Sequence, residues 1–279
     1  MKVSDANCIS FFKVSGSGND FIIIDNRDFS FKIVDLPTFV RKVCQRKISV
    51  GADGLFLIEP SETADFKWRF FNADGSAARM CGNGSRCVAR YAYENGMAGR
   101  SMSMETPVGV ITADVFDETV KVRLPDPSPL QIDRPIVLDG REVRLDVIDT
   151  GVPHAVILVE DLDVCPVFEE GRKIRRCEAF HPEGVNADFA RVLERQKMRV
   201  RTYERGVEDE TLACGTGVVA SVLAAAGRKR VGSPVDVTVQ SGETLRVYFK
   251  EQDGVFREIY LEGKVKMVYQ GLLFEEAYK

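Results

Sequence analysis

Short runs of apolar residues, alternating or continuous, recur along the chain and predict a protein built mainly from β-strands. In the first half the predicted strands are Ile9–Val14, Phe21–Asp25, Leu55–Glu59, Phe66–Asn72, Val108–Val115 and Val120–Leu124. Two segments predict helices. Leu36–Arg46 follows Asp35 as a cap and has Pro37 in its first turn. Asn83–Glu94 has apolar residues on one face and stops at an Asn-Gly pair.

The second half repeats this order of elements. Its predicted strands are Val143–Thr150, Ala155–Glu160, Asp188–Leu193, Met198–Tyr203, Val235–Gln240, Thr244–Phe249 and Phe256–Leu261. A helix at Thr216–Ala226 is apolar almost all round, which is typical of a helix enclosed by sheet. The corresponding helix of the first half carries Arg86 and Arg90, so we expect it to be less fully enclosed.

Glycine-rich landmarks recur at one fixed offset. Cys81 opens a Cys-Gly-Asn-Gly turn, and Cys214 opens a Cys-Gly-Thr-Gly turn 133 positions later (214 − 81). The same offset relates Gly18 to Gly151, Gly51 to Gly184 and Gly109 to Gly242. Four landmarks at one offset predict a duplicated fold, in which each half brings one thiol to the same kind of turn.

A proline-rich segment separates the halves. Three prolines in the five residues 125–129 stop a strand and prevent either sheet from continuing into the other. We therefore predict two similar domains of mixed α/β (α+β) type, at residues 1–126 and 127–264. The last segment, Lys264–Phe274, has no counterpart in the predicted repeat. We expect residues 265–279 to return to the first domain as a strand.

Composition excludes several classes of function. The chain has 279 residues, 44% of them hydrophobic, and a net charge of −4 with both signs interspersed. Such a charge distribution offers no extended basic surface for nucleic acid or anionic membrane. The first residues lack an apolar signal region, and no apolar run is long enough to cross a bilayer. We expect a cytoplasmic protein that binds neither nucleic acid nor membrane.

The seven cysteines and two histidines form no pattern typical of a metal site or a disulfide framework. The cysteines are odd in number and contain no Cys-X-X-Cys pair, and neither His154 nor His181 has metal-ligand spacing. We predict no metal and no cofactor. Five cysteines are interpreted as small buried hydrophobes: Cys8, Cys44, Cys87, Cys165 and Cys177.

A cysteine at a helix start meets unpaired N–H groups and the positive end of the helix dipole. Both favour thiolate, so we expect lowered thiol pKa values at Cys81 and Cys214. If the two helix starts converge on a cleft between the domains, a substrate carboxylate can bind their amides while its α-carbon lies between the sulfurs. One thiolate can then remove the α-proton, and one thiol can return a proton to the opposite face. The predicted result is inversion at Cα.

Motifs in both halves resemble those of the diaminopimelate epimerase family. They are Ser-Gly-Asn-Asp-Phe at 17–21, Phe-Asn-Ala-Asp-Gly-Ser at 71–76, Met-Cys-Gly-Asn-Gly-Ser-Arg-Cys at 80–87, Val-Asn-Ala at 185–187, Tyr-Glu-Arg-Gly at 203–206 and Thr-Leu-Ala-Cys-Gly-Thr-Gly at 211–217. The resemblance runs from about residue 11 to about residue 228. It implies two domains, each a curved, mostly antiparallel sheet or barrel around a central helix, with the active site in the interdomain cleft.

The resemblance also implies roles for individual residues. Cys81 and Cys214 would exchange protons with Cα in LL- and meso-2,6-diaminopimelate, without pyridoxal phosphate, in lysine and peptidoglycan precursor synthesis. Gly82, Asn83, Gly215 and Thr216 would hold the reacting carboxylate. Asn19, Asn72, Asn186, Glu204 and Arg205 would contact the substrate, and His154 would support the site. A homodimer is expected from the same resemblance.

Two departures from the family pattern concern substrate recognition. Val152 stands where many members have Asn, and Gly54 where some have Gln. One alternative is a related two-thiol racemase acting on proline, hydroxyproline or a basic amino acid. Another is a binder of small amino acids without catalytic activity. The same site residues also have an alternative, purely structural interpretation. It is a surface ion pair for Glu204 with Arg205, turns for Asn72 and Asn186, and a buried core position for His154.

Overall fold

The computed structural model describes residues 8–279, which form two compact units. Unit 1 comprises residues 8–122 and 264–279, and unit 2 comprises residues 123–263. Because the C-terminal residues belong to unit 1, the chain leaves this unit once and returns to it. Among the residues described, no helix is both long and apolar enough to cross a membrane.

The described residues form eighteen strands and four α-helices. In unit 1 they are β1 (Ile9–Gly16), β2 (Asn19–Asp25), α1 (Leu36–Cys44), β3 (Gly54–Glu59), β4 (Phe66–Asn72), β5 (Ala77–Ala78), α2 (Gly82–Glu94), β6 (Ser101–Thr106), β7 (Gly109–Phe116) and β8 (Thr119–Arg123). Then follow β9 (Gln131–Leu138), β10 (Arg141–Asp149), β11 (Pro153–Leu158), α3 (Val167–Arg175), β12 (Asn186–Glu194), β13 (Lys197–Glu204), β14 (Asp209–Thr211), α4 (Gly215–Gly227), β15 (Val235–Thr238), β16 (Thr244–Gln252) and β17 (Val255–Lys264). The last strand is β18 (Lys266–Leu273), and short 3₁₀ turns lie at Glu178–Phe180 and Glu275–Ala277.

The two units share one strand order. In unit 1 the hydrogen-bonded order is β18, β1, β2, β3, β4, β6, β7, β8, with parallel pairing only between β2 and β3 and between β4 and β6. In unit 2 it is β9, β10, β11, β12, β13, β15, β16, β17, with parallel pairing at the two equivalent places. The duplication predicted from the glycine offset is therefore present in the sheets.

One expectation about the repeat was wrong. β18 pairs antiparallel with β1, and β9 pairs antiparallel with β10 at the equivalent edge of unit 2. The C-terminal segment therefore does have a counterpart. This correspondence is not visible in the sequence, because β9 is the first strand of unit 2 along the chain whereas β18 is the last strand of unit 1.

The helices α2 and α4 match at the 133-residue offset at both ends, and both are largely buried. The expectation that α2 would be less enclosed is wrong for Arg86, whose side chain is fully buried. Arg86 donates to the side chains of Ser17 and Asn83, at 3.0 and 2.6 Å, so its charge is solvated inside the unit. Arg90 is less buried and pairs with Glu94 one turn later.

A second pair of helices packs on the other apolar surface of each sheet. As predicted, α1 is capped by Asp35, which accepts from the Thr38 amide, and has Pro37 in its first turn. Its buried residues join strand residues in a core that includes Phe39, Val40 and Leu55. The equivalent helix α3 buries Val167 and Ile174 in the core of unit 2. The hydrophobic pattern did not predict α3.

Candidate active site

Cys81 is the N-cap of α2 and has extended backbone geometry. Its Sγ accepts the Gly84 N–H at 3.3 Å, as a serine side chain does in an N-cap. Gly84 has no room for a side chain, because an added Cβ would lie 2.2 Å from the Phe56 ring. The second glycine of the turn thus allows α2 to pack on β3.

Cys214 is the N-cap of α4 and is buried, with 7% of its surface exposed. Its Sγ lies 3.4 Å from the Thr216 Oγ1. Here too the second glycine is a packing residue, because a Cβ on Gly217 would lie 2.2 Å from Asp188 Oδ1. Gly82 and Gly215, the first residues of the two helices, are both buried.

The expected lowering of the Cys214 pKa is wrong for this structure. Burial raises the pKa of the Cys214 thiol well above its ordinary value, and the negative charges of Glu204 and Asp188 raise it further. The Thr216 hydroxyl and the Gly217 amide oppose this effect but do not outweigh it. The helix start therefore does not compensate for desolvation, and Cys214 rests as a neutral thiol near pH 7.

A hydrogen-bonded chain leads from Cys214 into the interior of unit 2. Thr216 Oγ1 lies 3.0 Å from His154 Nε2, and His154 Nδ1 lies 2.7 Å from Asp188 Oδ2. Thr202 donates to the other Asp188 oxygen at 2.7 Å. His154 and Asp188 are fully buried. His154 and Thr216 were predicted from the sequence, but Asp188 was not; its signal is a charge flanked by Ala187 and Phe189 in the buried part of β12.

A second network lies at the start of α2. Asn83 Nδ2 donates to Asn19 Oδ1 at 2.8 Å, and Asn19 Nδ2 donates to Asp53 at 3.0 Å. Arg86 donates to Asn83 Oδ1, and Arg46 donates to Asp53. The structure thus brings Asn19 and Asn83 together beside Cys81, with the orientation of both amides set by charged neighbours. Arg86 and Asp53 were not identified from sequence.

Three predicted substrate residues meet at the C-terminal end of β13. The Asn186 Oδ1 accepts the Arg205 N–H at 2.8 Å, while the Asn186 Nδ2 donates to the Pro153 carbonyl at 3.1 Å. Glu204 accepts a hydrogen bond from Thr211 Oγ1 at 3.0 Å, and its negative charge raises the pKa of the Cys214 thiol.

The side chains of Arg205 and Asn72 each donate a hydrogen bond to a residue nearby in the fold. The Arg205 guanidinium donates to the Glu183 carbonyl at 3.3 Å. Asn72 is exposed at the end of β4 and donates to Ser76 within a turn. The described contacts of Asn72 are therefore those of a turn residue.

Comparison with known proteins identifies the family of this chain. The family model for diaminopimelate epimerase matches residues 11–128 and 147–268. The chain belongs to the diaminopimelate epimerase family. A diaminopimelate epimerase of Aquifex aeolicus is 46% identical over 279 residues, covering 96% of this chain and 99% of the relative. One of Archaeoglobus fulgidus is 42% identical, with 95% and 96% covered.

Solved structures share the fold at low sequence identity. A phenazine biosynthesis protein of the PhzF family from Bacillus anthracis superposes with a TM-score of 0.75 at 17% identity, covering 96% of this chain and 99% of that one. A hydroxyproline epimerase from Agrobacterium vitis, with bound trans-4-hydroxy-L-proline, gives 0.73 at 18% identity, covering 96% and 93%. Together with the two matched family segments, these structures confirm a mixed α/β fold of two similar domains. The family identifies the protein as an isomerase.

Proposed function

We propose that this protein interconverts LL- and meso-2,6-diaminopimelate by proton transfer at Cα between two thiols, Cys81 and Cys214, without a cofactor. The observation that carries the proposal is the equivalence of the two thiols. Each is the N-cap of the buried helix of its unit, at the same position of a duplicated fold. Nearly full-length similarity to diaminopimelate epimerases supports the choice of substrate.

In the proposed mechanism one substrate binds at both helix starts, one supplied by the domain at residues 1–126 with 265–279 and the other by the domain at residues 127–264. A thiolate on one face takes the α-proton, and the electron pair delocalises into the carboxylate. The first amides of α2 and α4 stabilise that charge. The thiol on the other face then gives its proton to Cα. The two sulfurs end with their roles exchanged, so the reverse reaction uses the same groups.

In the proposed mechanism Cys214 takes the role of acid in the resting enzyme. Its pKa is raised by burial, so it begins as the thiol that donates a proton. Cys81 then begins as the base. Asn19, Asn72, Asn83, Asn186, Glu204 and Arg205 would hold the substrate groups, with Gly82, Gly215 and Thr216 beside the reacting carboxylate. The proposal includes a cytoplasmic homodimer with no nucleic-acid partner, acting in lysine and peptidoglycan precursor synthesis.

The function is tested by a panel of LL- and meso-diaminopimelate, proline, hydroxyproline and histidine, using enzyme dialysed exhaustively against a chelator. We expect interconversion of the two diaminopimelate isomers at undiminished rate and no racemisation of the other amino acids. Chiral chromatography of the products measures both. Activity on proline alone, or activity restored only by added metal or pyridoxal phosphate, contradicts the proposal.

Arg205→Lys is expected to lower kcat/KM for diaminopimelate by about 10- to 100-fold, the effect of losing a charge-assisted hydrogen bond of roughly 1.5–3 kcal/mol. Lysine keeps the charge but cannot present the planar fork that binds a carboxylate with two bonds. Steady-state kinetics and a melting curve on the same variant measure the effect. We expect the melting temperature to stay within about 2 °C of wild type, because the guanidinium makes an exposed hydrogen bond to the Glu183 carbonyl and surface substitutions usually change stability by only about 0.5 kcal/mol.

Arg199→Lys is the matched control. Arg199 lies on β13, which ends one residue before Arg205, and its guanidinium pairs with the Asp163 carboxylate through bonds of 3.1 and 2.7 Å. This ion pair is largely exposed, so we expect unchanged kinetics. Equal kinetic effects of the two substitutions would remove Arg205 from the substrate site.

A further inference from the structure

The polar chain behind Cys214 is not required by the fold, because the same place in unit 1 is filled by phenylalanines. Sheet register defines the equivalent positions. Asp188 pairs with Thr202 across β12 and β13, as Phe56 pairs with Phe70 across β3 and β4. His154 pairs with Asn186, two residues before Asp188. In the same way Phe21 pairs with Gly54, two residues before Phe56.

Helix packing confirms this equivalence. Gly217 of α4 lies against Asp188, and Gly84 of α2 lies against Phe56. In unit 1 the three rings pack on one another, with centroids 4.5–5.8 Å apart. Both triads are buried. Burying a carboxylate, an imidazole and a hydroxyl costs free energy that three aromatic rings do not. The fold is thus built in unit 1 without the polar groups that unit 2 contains.

We propose that Asp188 is a positioning residue for the proton transfer by Cys214, acting through His154 and Thr216. A carboxylate accepts hydrogen bonds, so His154 Nδ1 donates to Asp188 Oδ2. In a neutral ring Nε2 is then an acceptor, and the Thr216 O–H donates to it. The Thr216 Oγ1 keeps its lone pairs for the Cys214 S–H, which fixes the direction of the thiol proton. After the proton has left, the same hydroxyl can rotate and donate to the sulfur.

The contacts of Thr202 support a directional role for this chain. By donating to Asp188 Oδ1, Thr202 leaves Oδ2 for His154 alone. The corresponding residue of α2, Asn83, bonds to Asn19 and Arg86 instead, so its described partners differ from those of Thr216. The two thiols therefore have different supporting residues, despite their equivalent places in the fold.

The first test is the tautomer of His154. Because the chain contains only two histidines, selective ¹⁵N-histidine labelling gives two sets of ring signals, and His181→Gln assigns them. We expect His154 to carry its proton on Nδ1 in the wild-type protein. In Asp188→Asn we expect Nε2–H to appear, since an amide N–H facing Nδ1 favours that tautomer. A wild-type His154 protonated on Nε2, or a tautomer unchanged in Asp188→Asn, overturns the proposal.

The second test is kinetic and rests on the proposed function. Asp188→Asn should lower kcat for diaminopimelate about 100-fold or more, within the usual contribution of acid–base catalysis, while KM changes less than about threefold. Asp146→Asn is the control for loss of a buried carboxylate, because Asp146 is equally buried in unit 2 and bonds to Arg228. We expect this control to lower the melting temperature and leave kcat within about threefold. A kcat for Asp188→Asn no lower than that of the control contradicts the proposal.

Thr216 gives an independent pair of variants should Asp188→Asn fail to fold. Thr216→Val removes the hydroxyl while keeping the shape, and we expect a loss in kcat of about 100-fold. Thr216→Ser keeps the hydroxyl and should retain kcat within about tenfold. Equal activity of the two variants overturns the relay. A wild-type protein inactive on diaminopimelate would refute the proposed function instead, while the histidine tautomer would still decide the role of Asp188.

Discussion

Replacing either Cys81 or Cys214 with serine is expected to lower diaminopimelate epimerisation about 10⁴-fold or more, the upper end of what one acid–base group contributes. Serine can still accept the Gly84 N–H at the start of α2, so the cap is kept while the acidic thiol is lost. Each proton transfer needs a group on its own face of Cα. The loss of either thiol should therefore stop inversion. Chiral chromatography after long incubation measures the residual rate.

The single variants should differ from inactive protein in one respect. A remaining thiolate can still remove and return a proton on its own face, so slow exchange of the α-hydrogen with D₂O is expected without inversion. The control is Cys87→Ala, because Cys87 is fully buried six residues beyond Cys81. That change should alter melting temperature through lost packing and leave the kinetics near wild type. Near-normal epimerisation by Cys81→Ser or Cys214→Ser would remove that thiol from the mechanism.

Oxidation with hydrogen peroxide is expected to inactivate the enzyme completely and reversibly by joining Cys81 to Cys214. In the proposed mechanism both sulfurs exchange protons with one α-carbon, so we expect a disulfide between them when substrate is absent. Peroxide converts one thiolate to a sulfenic acid. The second sulfur then attacks it, water leaves and the disulfide forms. Because only the thiolate reacts readily, burial and a raised pKa of the Cys214 thiol should make disulfide formation slow at neutral pH. The reaction should become faster as the pH rises toward that pKa.

Peptide mapping and activity recovery test this outcome. A linked peptide pair containing both cysteines, full recovery with a thiol reductant and protection by diaminopimelate are expected. The Cys214→Ser variant, which cannot form the link, is the control for oxidation elsewhere. Inactive protein in which both cysteines still react with an alkylating reagent would contradict the explanation.

The buried helices were predictable because hydrophobic pattern and cap coincide there. α4 extends only one residue beyond the predicted Thr216–Ala226 at each end, and α2 begins one residue before the predicted start. α3 was missed since it is short and charged, contains Gly171, and buries little besides Val167 and Ile174. β9 was missed because it contains Pro135 and exposes most of its side chains.

The thiols and their turns were also visible in the sequence, because a repeated motif marks them. The chain behind Cys214 was not, since its members lie on different elements and meet only through sheet register and helix packing. Phe56 and Asp188 occupy equivalent places, yet no pattern of hydrophobicity relates them. The raised pKa of Cys214 has the same origin. Burial raises the pKa of Cys214 more than the hydrogen bonds from Thr216 and Gly217 lower it, and the extent of burial cannot be predicted from the local sequence.

The two-thiol mechanism is tested most directly by incubating LL-diaminopimelate with the enzyme in D₂O and following Cα by mass spectrometry and chiral chromatography. Each molecule that becomes the meso isomer in the first turnovers should carry one deuterium at the inverted carbon, because its proton comes from a thiol that has exchanged with solvent. The Cys81→Ser, Cys214→Ser double variant should show neither inversion nor deuterium. Inversion with retention of the original hydrogen, or inversion by the double variant, would contradict the account.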